Sequence, residues 1–76
     1  MFKFKMYACM CGEKSFLGLT QADFLPFVTT FDSAYFSFSK EMLQGLIKRV
    51  QSIRPEFESK FGEFKIVLVE GKIYND

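Results

Sequence analysis

The chain has 76 residues, of which 49% are hydrophobic and 18% aromatic, with eleven Phe and a formal net charge of +1. A chain this short buries only about 60% of the surface it exposes when unfolded, and large rings supply the missing core volume. This composition excludes intrinsic disorder, and the near-neutral charge excludes a global field drawing the protein to nucleic acid or acidic membranes.

Residues 1–76 therefore read as a single globular domain. Lys3 and Lys5 stand near the start as in a signal peptide, but only about six uncharged residues then precede Gly12 and Glu13. An apolar signal core needs roughly 7–15, and no run approaches the ~18 apolar residues of a membrane span. The reading is a cytoplasmic protein with no membrane partner, whose two cysteines are reduced thiols.

In chain order, FKFKMYACM alternates. Phe2, Phe4, Met6, Ala8 and Met10 fall on one face, with Lys3, Lys5, Tyr7 and Cys9 on the other, which predicts a half-buried strand. CGEK is turn chemistry, and SFLGL returns as the second arm of an antiparallel hairpin. Thr20 and Asp23 resemble a capping box, predicting a helical turn over 21–25 that Pro26 ends or kinks. Residues 27–31 fit either a strand or the tail of that turn, and SAYFSFS alternates like a strand.

Ser39 then serves as an N-cap, with Glu41 in the first turn. Met42, Leu43, Leu46, Ile47, Val50 and Ile53 form one apolar stripe at helical spacing. This predicts a helix over about 39–54, stopped by Pro55. A second short helix fits 55–61, with Phe57 and Phe61 packing one turn apart and Gly62 closing it. FKIVLV reads as a central strand, Glu70-Gly71 as a tight turn, and KIY as a returning strand. The expected fold is α+β, an antiparallel sheet of four to five strands carrying one long helix in a two-layer sandwich, its Phe-rich face inward.

Cys9 and Cys11 raise the question of a metal or redox site. A structural zinc takes four Cys or His ligands, and this chain holds two Cys and no His. A strand sets the two Cα atoms about 6.5–7 Å apart, at the limit of disulfide geometry. Ordinary thiols in or beside the core are the expectation. The sharper alternative is a four-thiolate site shared between two copies. No cofactor is expected.

Enzymatic chemistry finds few candidates. Histidine is absent, a cysteine nucleophile has no evident base, and Glu56, Glu58 and Glu63 are spaced like solvated surface. Binding is then the expected role. Phe24, Phe27, Phe31, Phe57 and Phe61 lie in short connections where full burial is hard to arrange, and Tyr7 and Tyr35 fall on the presumed outer sheet face. These seven are the candidate anchors for a protein partner or a second copy. Lys3, Lys5, Lys48, Arg49 and Arg54 are the alternative, a basic set for phosphates of single-stranded nucleic acid or for an acidic partner. The leading expectation is a small non-catalytic inhibitor or modulator of a partner protein, of the kind virus- or mobile-element-encoded regulators provide. A self-assembling protein is a further alternative. Gly45, in mid-helix, suggests close approach of a loop or partner.

Overall fold

The computed structural model describes residues 2–73. It is an α+β fold in which four strands form one antiparallel sheet in the order β3-β2-β1-β4. β1 spans Phe2–Cys11, β2 Ser15–Leu19, β3 Pro26–Thr29 and β4 Phe64–Ile73. Between β3 and β4 lie a 3₁₀ turn at Phe31–Ser33, helix α1 at Lys40–Ile53 and helix α2 at Glu56–Phe61. Both expected helices are present, and no helix among the described residues is long and apolar enough to cross a membrane.

α1 begins where Ser39 accepts a hydrogen bond from the Met42 N–H at 3.2 Å, satisfying one of the helix's unpaired donors. It ends where the Arg54 N–H reaches the Val50 carbonyl and Pro55 follows. Leu43 and Val50 are fully buried and pack on Cys9, Cys11 and Leu17 of the sheet. Burying each Leu or Val side chain contributes roughly 1.5–3 kcal/mol. Tyr7, Tyr35, Leu46, Ile47, Phe57, Phe64 and Ile66 surround this centre. Met42 and Ile53, expected on the buried stripe, are exposed at its margins.

The chief correction concerns which face of the sheet the helix covers. The Phe-rich face was expected inward; α1 instead covers the opposite face, carrying Tyr7, Cys9 and Cys11. Small thiols let Leu43 and Val50 approach the strand closely, whereas a row of rings would hold the helix away. Tyr7 and Tyr35 consequently pack against the core and do not form an outer Tyr/Lys surface.

Local differences follow from long-range pairing. Residues 21–23 form a hydrogen-bonded turn, closed by the Phe24 N–H on the Thr20 carbonyl, and not a helix. Pro26 starts β3 and pairs with Leu19, as a proline can on an edge strand. Residues 35–37 make no full strand. They fill the gap where β1 and β2 diverge: the Tyr35 N–H bonds to the Leu17 carbonyl, and Ser37 exchanges two backbone bonds with Tyr7. Glu70-Gly71 makes no turn, because β4 runs on through it to Ile73. Tyr74, expected in a final strand, lies outside the described residues.

Gly12 and Gly62 meet back to back, with φ of +74° and +121°. A Cβ on Gly12 would overlap the Phe61 carbonyl, so the β1–β2 turn and the α2–β4 connection can touch only through glycine.

Candidate functional site

β1 and β4 pair along their full lengths, from Phe2 opposite Ile73 to Cys11 opposite Phe64. β2 pairs with β1 only at Met10 and Cys11, and the core under α1 draws on β1 from Tyr7 onward. The other half, Phe2–Met6 with Val69–Ile73, is left as a two-stranded ribbon. The molecule is accordingly long, 44 × 26 × 21 Å, with a radius of gyration of 13.1 Å, against about 11.4 Å expected for a compact chain of this length.

The ribbon's two faces differ in chemistry. The side facing away from α1 carries Phe2, Phe4, Met6, Val69, Gly71 and Ile73, and a groove of about 340 Å³ opens between Phe4, Met6, Val69 and the rings of Phe31 and Phe36. The tip of the Phe4 ring reaches over Gly71, where a Cβ would collide with it. Phe31 stands edge-on to both Phe16 (5.4 Å, 72°) and Phe36 (5.3 Å, 74°), an arrangement that ring quadrupoles favour. The Thr30 hydroxyl donates to the Asp32 carboxylate, bracing the 3₁₀ turn that carries Phe31; the same bond holds the Asp32 carboxyl below its ordinary range. Phe2 is 62% exposed, Ile73 52% and Phe31 49%, so the patch is open to solvent. It is an apolar patch with Glu70 at its margin.

The other side of the ribbon is charged. Lys3 stands directly opposite Lys72, and Lys5 opposite Glu70. The Lys5–Glu70 pair, at 3.8 Å, is well exposed and worth little stability.

The candidate anchors do not come together. Phe27 and Phe31 reach the open face, Phe27 packing over Gly18. Phe24 is exposed in the loop after β2 with φ of +52°, a strained conformation for a bulky residue. Tyr7 and Tyr35 are half-buried beside the core. Phe57 and Phe61 pair edge-on at 6.1 Å on α2, and Lys60 lies over the Phe61 ring. The basic residues also separate, with Lys3 and Lys5 on the ribbon and Lys48, Arg49 and Arg54 on α1. Phe2, Phe4, Met6, Phe36 and Val69 line the open face without having been candidates. Their alternation was visible in the sequence but pointed to the core.

Cys9 and Cys11 are free thiols, 0% and 1% exposed beneath α1. The contact with Cys11, reinforced by burial, holds the Cys9 thiol protonated, far above its ordinary range. A four-thiolate site shared between copies needs these side chains at the surface, where α1 does not leave them. Among the described residues, no three Cys, Asp or Glu groups stand together as a metal site. Glu58 is committed to structure: it accepts from the Gln51 amide at 3.0 Å and the Phe64 N–H at 3.2 Å, tying α1, α2 and β4 together.

Comparison with protein-family models, curated proteins and solved structures finds no match to this chain.

Proposed function

We propose that this chain is a small non-catalytic protein-binding module that modulates a partner by covering part of its surface, and that it docks through the open face of the β1–β4 ribbon. The observation that carries the reading is the apolar patch of Phe2, Phe4, Met6, Phe31, Phe36, Val69 and Ile73 around its groove. Two-stranded ribbons are marginal alone in water, and exposed patches of several hundred Å² mark interaction surfaces. The groove suits one apolar side chain of the partner, with rings around it as anchors. The burial of both Cys9 and Cys11 beneath α1 and the engaged Glu58 support a non-catalytic role.

The test is affinity capture from a source lysate with wild type, Phe2→Ser and Phe38→Ser side by side, half of each sample treated with nuclease. The reading expects a stoichiometric protein that survives nuclease and Phe38→Ser but is lost with Phe2→Ser. Retention by Phe2→Ser would move the docking site elsewhere.

One observation favours a second reading, binding of single-stranded nucleic acid. Like charges directly opposite across strands are destabilising, and a phosphate between Lys3 and Lys72 would relieve them. That reading expects retention that vanishes with nuclease, and oligonucleotide affinity that falls steeply with salt and with Lys72→Ala.

A further inference from the structure

β4 is the outermost strand on its side of the sheet. The direction of its backbone groups follows from hydrogen bonds elsewhere. Tyr7 exchanges both its bonds with Ser37, away from β4, while the Gly12 N–H reaches the Glu63 carbonyl on the β4 side. The groups of Phe4, Met6, Ala8 and Met10 therefore point at β4, and those of their partners Gly71, Val69, Val67 and Lys65 point back. The intervening residues of β4 point outward. Phe64 confirms the phase, since its N–H donates to Glu58 and not to β1. Ile66, Leu68, Glu70 and Lys72 are left with outward N–H and C=O groups, and among the described residues no strand pairs with them.

Such an edge is a template for strand addition. The opposite edge, β3, has four residues and begins with Pro26. β4 has ten and no proline, with an uncharged run from Ile66 to Val69. A strand related by a twofold axis perpendicular to the sheet is antiparallel and keeps each face on the same side. The outward set Ile66, Leu68, Glu70 and Lys72 maps onto itself under one such axis only, the one passing between two copies of Val69. Leu68 then pairs with Glu70 of the second copy and Ile66 with its Lys72, so every outward group of the set finds a partner.

We propose that two copies of this chain pair in this way, through β4, into one continuous sheet. The chemistry is self-complementary, and the occupant needs no group that the chain itself lacks. The pairing also has a consequence for the open face. Val67, Val69 and Gly71 of the two copies become neighbours across the joint, and the two Phe4–Met6 patches merge into one apolar surface. The edge alone joins less than the ~800 Å² per partner of a standard interface. The expected dimer is therefore weak, with a Kd on the order of 10–100 µM.

The experiment is sedimentation velocity over a concentration series, with amide exchange at low and high concentration. The proposal expects a mass rising toward twice that of the monomer, and concentration-dependent slowing at the Ile66, Leu68, Glu70 and Lys72 amides but not at Val67 and Val69. Leu68→Pro removes an outward N–H that β1 does not use, so it should keep the circular dichroism spectrum and abolish the dimer. A monomer at every concentration would overturn the proposal, as would a dimer undiminished in folded Leu68→Pro. A dimer lost with Phe2→Ser but kept in Leu68→Pro would mean that open faces stack instead. Should Leu68→Pro fail to fold, the amide pattern of the wild type decides. Partner capture by the open face does not depend on this pairing, so either result can stand without the other.

Discussion

Replacing Phe31 with Ala tests whether the 3₁₀ turn roofs the open face of the sheet. Phe31 is 49% exposed, so about half of a ring worth roughly 150–250 Å² is covered, on the order of 100 Å². At about 25 cal/mol per Å² that burial contributes about 2.5 kcal/mol. The edge-on contacts with Phe16 and Phe36 add about 0.5–1.5 kcal/mol each. Alanine keeps part of the area, and a real unfolded chain already shields some of it, which brings the expected loss to about 2–3 kcal/mol. Phe38, at 72% exposure, is the matched control, and Phe38→Ala should stay within about 0.5 kcal/mol. Urea unfolding reads both. With an m-value of about 1 kcal/mol/M for so small a domain, the Phe31→Ala midpoint should fall by about 2–3 M and that of Phe38→Ala hardly at all. A loss below about 1 kcal/mol for Phe31→Ala, or equal losses for the two, would refute the idea that Phe31 packs down on the sheet as a wall of the groove.

Among the described residues nothing lies within 4 Å of a Cβ built on Gly45, so no described loop approaches it. Gly45→Ala should raise stability by about 0.8–1.0 kcal/mol in thermal unfolding, and a loss of partner binding in that stabilised variant would reveal an intermolecular contact there. Glu58→Ala strands the Phe64 N–H and should cost about 1–2 kcal/mol in urea unfolding. Cys9 should resist a thiol reagent at pH 8 in the native state and react at once in urea. An unfolded thiol ionises near its ordinary 9.0 while the folded Cys9 stays protonated. The Cys9 contribution to stability should therefore be constant well below pH 9 and decline as pH rises above it, the folded Cys9 then binding more protons than the unfolded. Cys11, held below its ordinary range by the contact with Cys9, works in the opposite direction.

Much of the fold was legible in short stretches of sequence. Ser39, the Leu43–Val50 spacing and Pro55 defined α1 within a residue or two, because capping and helical periodicity are local. The alternation of FKFKMYACM identified β1 for the same reason. What local pattern left open was decided by neighbours distant in the chain. Alternation says that two faces differ, but not which one a helix will cover. Here it was decided by fit, because Cys9 and Cys11 admit Leu43 and Val50 closely while the rings pack edge-on among themselves. Glu70-Gly71 carries turn residues, yet β1 is long enough to pair beyond it, and the missing Cβ of Gly71 seats the Phe4 ring. The candidate surface belongs wholly to this second kind of information. Phe2, the Phe31–Phe36 segment and Val69 lie far apart in sequence, and only the pairing of β1 with β4 and the path of residues 31–37 bring them together. A sequence of 76 residues thus determines its helices and strands through near-neighbour sterics and hydrogen bonding, whereas the exposure of a ring depends on long-range packing.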